Sequence, residues 1–201
     1  MKNNFENKKV LAFGDSITER EGWVSSLSKI LGTEVINKGV GGDTTIQAIR
    51  RYEADVLENN PDIVIMMFGM NDQALIEWKD MEASIPLDMY EDNYRKMIEA
   101  MKARGIDVVL LVGHDVCNDE GYYVHTDFYY GTGNIVHYYD LIRKFAKEYN
   151  LNLIDLYDRC LGEGLNKMCD VGDGVHLSKY GHDMYAKWIG EFMLEEYEAK
   201  N

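Results

Sequence analysis

Val10-Leu11-Ala12-Phe13-Gly14-Asp15-Ser16-Ile17-Thr18 is the stretch whose reading decides the fold. Four apolar residues run without interruption into a glycine and two small polar residues. Continuous apolar character fits a strand covered on both faces, as in a parallel sheet. The change at Gly14 marks a turn leading toward a helix. The same pattern recurs along the chain. Apolar runs at 34–36, 63–68 and 108–112 end at Asn37-Lys38-Gly39, Gly69-Met70-Asn71-Asp72 and Gly113-His114-Asp115, and a fifth run spans 151–156.

Helical stripes lie between these runs. Tyr90, Tyr94, Met97, Ile98 and Met101 fall on one helical face. Asp88 is expected to cap that helix, and Gly105 stands where a C-terminal glycine belongs. Tyr138, Ile142, Phe145 and Tyr149 form a second stripe, and Met184, Trp188, Phe192 and Met193 a third. A shorter one runs through Ile46, Ile49, Val56 and Leu57. Alternating strands and helices predict an α/β protein with a parallel sheet. Sites in such sheets form beyond the carboxyl ends of the strands, where the small polar residues gather here.

The 201 residues fit one domain spanning 1–201, and 46% apolar content can fill its core. A net charge of −14 repels phosphate backbones, so no nucleic-acid partner is expected. No apolar run is long enough to span a bilayer. Cys117, Cys160 and Cys169 match no zinc or CxxC spacing, and reduced thiols in a cytoplasmic protein are the simplest reading. No signal peptide is visible, so a cytoplasmic location is expected. His114, Asp115, Cys117, Asp119, His125, Asp127 and His137 crowd one region without a recognised ligand spacing, so no metal and no cofactor is expected.

Each turn carries a candidate for chemistry, and each has a plainer account. Ser16 presents a hydroxyl at a strand-to-helix turn, or simply caps the helix. Gly42 allows a backbone N–H to approach a substrate oxygen, or serves a tight turn. Asn71 offers an amide donor, or ends its strand in an Asx turn. Asp173 and His176, three residues apart, share one turn, so the carboxylate can orient an imidazole facing the serine. The alternative there is a loop acid beside a helix-flanking histidine.

Taken together, GDSI at 14–17, NKGVGGDT at 37–44, GMND at 69–72 and DGVH at 173–176 resemble, in order, the sequence blocks of the SGNH hydrolases, also called the GDSL family. Ile17 replaces the leucine of the family name. The resemblance implies a three-layer α/β/α sandwich with a mostly parallel five-stranded, flavodoxin-like sheet. It also implies a serine esterase with Ser16 as nucleophile, His176 as base and Asp173 as its partner. Ser16 N–H, Gly42 and Asn71 become the oxyanion donors. His182, in the matching closing segment, carries no catalytic role, and Ser178 reads as the cap of the last helix.

The region at about 114–134, rich in aromatics, should overhang the crevice as a substrate loop. His114, Tyr122, Tyr123 and Tyr129 of this region, with Asp15 and Trp78 from outside it, are the candidate substrate contacts, and the expected substrate is a short-acyl, acetyl ester, small or borne on carbohydrate. A lysophospholipase or thioesterase with the same triad, an acyltransferase, and a non-catalytic binding module are the alternatives.

Overall fold

The computed structural model describes residues 5–20, 22–117, 122–124 and 127–197, the side chains of 122–124 and 196 excepted. The apolar runs become strands β1 (Val10–Gly14), β2 (Val35–Gly39), β3 (Ile63–Met67), β4 (Asp107–Val112) and β5 (Asn152–Asp155). They form one sheet in the order β2-β1-β3-β4-β5, and every pairing is parallel. The chain steps outward from β1 to β2, then returns to lay β3 on the other side of β1. The loops after β1 and β3 therefore flank the point where strand order reverses, the place where open α/β sheets form crevices.

Successive side chains of a strand point to opposite faces. Val10 and Ala12 join one core layer with Trp23, Leu27, Tyr185 and Ile189. Leu11 and Phe13 join the other with Ala48, Tyr94, Met97 and Phe145. The first layer is covered by α2 (Gly22–Leu31) and α6 (Lys179–Glu191), which pack on each other. The second is covered by α3 (Thr45–Tyr52), α4 (Leu87–Ala103) and α5 (Ile135–Glu148). This is the expected α/β/α architecture with flavodoxin-like strand order.

Two local expectations change. Pro86, not Asp88, occupies the N-cap of α4, and Leu87 starts the helix. Proline supplies the extended backbone before the first turn, while the Asp88 carboxylate accepts from the adjacent Met89 N–H at 2.8 Å. The 114–134 region is not an irregular loop throughout. Tyr122–Val124 and Phe128–Tyr130 pair as a hairpin, and they extend into an antiparallel sheet with Leu75–Ile76 and Glu82–Ala83. Gly105 closes α4 at φ +73°, and the Ser178 hydroxyl caps α6 by accepting from Gly181 N–H, both as the sequence indicates.

Candidate active site

Ser16 is the first residue of the one-turn helix α1 (Ser16–Glu19), directly beyond β1. The Asp15 carboxylate caps this helix by accepting the Ile17 N–H at 2.9 Å. The first N–H groups of a helix have no partner inside it, so the turn aims donors outward beside the Ser16 hydroxyl. Asp15 itself is buried under the turn, and burial pushes its carboxyl up to about 7. The expectation that Asp15 contacts substrate is thereby corrected: its oxygen is committed to the helix cap.

From the far end of the chain comes the imidazole. Asp173 Oδ1 accepts the N–H groups of Val175 at 3.0 Å and His176 at 2.8 Å, closing a tight Asx turn. Its other oxygen lies 2.6 Å from His176 Nδ1. A carboxylate only accepts, so Nδ1 carries the proton and Nε2 presents a lone pair. Nε2 stands 2.8 Å from Ser16 Oγ. Burial alone raises the Asp173 carboxyl, but the two N–H groups and the imidazole outweigh it and hold it below its ordinary value. Arg20 Nη1 adds a positive charge 3.6 Å from the same carboxylate.

Several tethers hold this turn. His114 Nε2 donates to the Val175 carbonyl at 2.8 Å, while its Nδ1 accepts from the Tyr185 hydroxyl at 2.7 Å. Burial pushes the His114 imidazole down to about 4, so it stays neutral. His114 is fully buried, which corrects its expected role as a substrate contact. The Cys117 N–H donates to the Gly174 carbonyl at 2.8 Å, and Cys117 forms a disulfide with Cys169 across a Cα–Cα distance of 6.1 Å. Of the three cysteines, Cys160 alone is a free thiol. The reading of reduced cysteines fails because residues 52 apart in sequence meet only through the fold. The cytoplasmic expectation loses the support it drew from them.

The other two turns complete the crevice. Gly42 sits at φ +76°, a backbone conformation that favours glycine. Just beyond it, Thr44 and Gln47 form a capping box that starts α3. Arg51 on α3 ties the loop down: it donates to Asp43 Oδ2 at 2.5 Å, to the Lys38 carbonyl at 3.0 Å and to the Gly14 carbonyl at 2.9 Å. Asn71, beyond β3, donates from Nδ2 to the Asp43 carbonyl at 2.9 Å and accepts the Tyr130 hydroxyl at 2.8 Å. Beneath it, Asp72 Oδ1 accepts from Thr45 N–H at 2.9 Å and Thr45 Oγ1 at 2.6 Å.

Ser16, Gly42, Asn71 and His176 line one cleft of about 390 Å³, together with Glu19, Arg20, Thr44, Ser84, Phe128 and Tyr130. The remaining sequence candidates lie elsewhere. Trp78 is 68% exposed on a turn at 77–79 and is not among the residues that line the cleft. Tyr129 alternates away from Phe128 and Tyr130, the two residues of its strand that reach the cleft. The side chains of Tyr122 and Tyr123 lie outside those described. Phe128 and Tyr130 were legible as aromatics of this region, but choosing between neighbouring tyrosines needs a strand register. Arg51 gave no sequence signal beyond its place on a helix following the glycine turn. Among the described residues, no group of three or more His, Cys, Asp or Glu converges as a metal site; Asp119 and His125 lie outside them.

The parallel sheet thus brings a hydroxyl, an imidazole, a carboxylate and an amide together at its switch point. The chain belongs to the GDSL-like lipase/acylhydrolase family, whose sequence model matches residues 12–184, and it is by class a carboxylic ester hydrolase. It is 28% identical to an uncharacterized lipoprotein, YqeF, of Bacillus subtilis, over 73% of this chain and 69% of the relative. It is 27% identical to an acetylxylan esterase of Geobacillus stearothermophilus, over 78% of this chain and 70% of that one. The crystal structure of the acetyl xylan esterase AlAXEase is similar with a TM-score of 0.72 and 29% identity, over 90% of this chain and 97% of that one. Among the described residues no helix is long and apolar enough to cross a membrane.

Proposed function

We propose that the chain, acting as one hydrolase domain, cleaves short-acyl esters, acetyl esters of carbohydrates above all, with Ser16 as nucleophile. The observation that carries this is the continuous line from Ser16 Oγ through His176 to Asp173, with contacts of 2.8 and 2.6 Å. His176 Nε2 takes the serine proton as Oγ attacks the ester carbonyl. The oxyanion forms against the N–H groups of Ser16 and Gly42 and the Asn71 amide. His176, still oriented by Asp173, returns the proton to the leaving alcohol, and water then releases the acid by the same route.

The substrate class follows from the cleft and from likeness. A space of about 390 Å³ sets polar Glu19, Arg20, Thr44 and Ser84, which suit a hydroxylated alcohol, beside apolar Phe128, Tyr130 and Val175, which suit a small acyl group. The relatives named acetylxylan esterase point the same way.

The test uses p-nitrophenyl esters of increasing acyl length beside acetylated xylo-oligosaccharides. Turnover is expected to be highest for acetyl and to fall by octanoyl, with sugar acetates cleaved. A fluorophosphonate probe should label Ser16, and Ser16→Ala should lose both label and turnover. Preference for octanoyl esters would discard the substrate assignment. Full turnover by Ser16→Ala would discard the mechanism.

A further inference from the structure

The hairpin strand Phe128–Tyr130 has a part to play beyond walling the cleft. Tyr130 is 6% exposed, and its hydroxyl meets Asn71 Oδ1 at 2.8 Å. An asparagine amide has two orientations of nearly equal shape and opposite chemistry, one presenting nitrogen where the other presents oxygen. At residue 71 two partners decide between them. The Asp43 carbonyl, 2.9 Å from Nδ2, can only accept, so nitrogen must lie there. The tyrosine hydroxyl then finds the amide oxygen and donates to it. One N–H of the amide is used by Asp43, and the second is left for the cleft that Asn71 lines.

We propose that Tyr130 is the positioning residue of the oxyanion hole: it locks the Asn71 amide with its free N–H toward the cleft. The small antiparallel sheet thus serves the reaction through Asn71, without touching the reacting atoms. The idea rests on the reading of Asn71 as an oxyanion donor. Burial, and the negative fields of Asp15 and Asp72, hold the Tyr130 hydroxyl well above the ordinary tyrosine range, so it stays a donor across the working pH. Donation to Oδ1 also polarises the amide, which makes its N–H groups better donors.

Tyr130→Phe removes one oxygen and keeps the ring. Losing the hydrogen bond that orients the Asn71 donor, whose contact with the oxyanion exists only in the transition state, lowers kcat by about tenfold. KM should change less than about twofold, because the oxyanion is absent from the ground state. The experiment is a double-mutant cycle of wild type, Tyr130→Phe, Asn71→Ala and the double variant on p-nitrophenyl acetate. Turnover is expressed per serine titrated with a fluorophosphonate, so a variant that folds poorly loses sites and not turnover per site. Asn71→Ala should lose roughly 10²–10³-fold in kcat. In that background Tyr130→Phe should change kcat less than about twofold, because its target has gone.

Two losses that multiply would mean that Tyr130 acts independently of Asn71, and the proposal would fall. Wild-type kcat in Tyr130→Phe would overturn it as well, leaving Asn71 as a donor that needs no support. Wild-type kcat in Asn71→Ala would overturn the donor role of Asn71 and this inference with it, a result distinct from the other two.

Discussion

Replacing Asp72 with asparagine should make the protein's stability less dependent on pH, and the structure sets the size of the effect. Asp72 is fully buried beneath the Asn71 turn. Oδ1 is satisfied by Thr45, while Oδ2 has no partner among the described residues. Burial therefore pushes the carboxyl up to about 7 from its ordinary 3.8, with the negative Asp43 adding to the rise and Thr45 opposing it. A raised folded-state value in an acid means that the native state holds a proton which the unfolded chain has already released. The stability this provides is complete below pH 3.8 and is lost as pH climbs to about 7. Between pH 5 and 7 the loss amounts to about 1.4 kcal/mol per pH unit, or about 3 kcal/mol. Asparagine keeps the Oδ1 acceptor for Thr45 and cannot ionise. The variant should match wild type to within about 1 kcal/mol below pH 3.8, where Asp72 is neutral in both states, and lead it by roughly 1.6 kcal/mol more at pH 5, where the unfolded wild-type chain has ionised. By pH 8 it should be favoured by about 3 kcal/mol more than at pH 5. Urea unfolding at pH 5, 6, 7 and 8 measures this directly. A difference between the two proteins that stays constant over the range would refute the reasoning, because an Asp72 charged throughout would show no such slope.

Three other perturbations have calculable outcomes. Gly42→Ala places a Cβ in open space at φ +76°, so only backbone strain opposes it; a net loss near 1 kcal/mol and a melting point lower by about 2–4 °C are expected. Gly39→Ala differs sharply, because its Cβ runs into the backbone of Glu19, and a loss above about 4 kcal/mol or failure to fold should show in the same thermal scan. Replacing Cys117 and Cys169 by serine opens a covalent loop of 52 residues in sequence separation; chain entropy sets the loss at about 4 kcal/mol, read as a shift of the denaturation midpoint. A midpoint unchanged by dithiothreitol in wild type would show that the bridge is not formed in solution.

The parts legible in the sequence were those encoded by short-range pattern. Unbroken apolar runs such as 63–68, too short for a buried helix and bounded by turn residues, read as covered strands, and the polar turns after them fall beyond the strands' carboxyl ends. What remained hidden depended on contacts between distant segments. Asp15 and His114 look like site residues because they follow strands, yet each is turned inward by a partner, Ile17 N–H for one and Tyr185 and Val175 for the other. The second sheet escaped notice because strands such as Leu75–Ile76 and Glu82–Ala83 are too short to show alternation. Without that sheet, Tyr129 and Tyr130 could not be told apart. The disulfide was invisible for the same reason: nothing near Cys117 announces Cys169.

Ser16 and His176 are 160 positions apart, yet they share one hydrogen bond. The helices beside them, α2 and α6, lean on each other, and the Trp23 N–H reaches His182 Nδ1 at 3.2 Å. If the proposed roles hold, a ribosome that has synthesised Ser16, the glycine turn and the Asn71 turn has still made an inert polypeptide. On the proposed mechanism, hydrolytic power arrives when the turn that carries His176, leading into the final helix, settles beside Ser16. A nascent or clipped chain that ends before Asp173 should pass among esters without cleaving them.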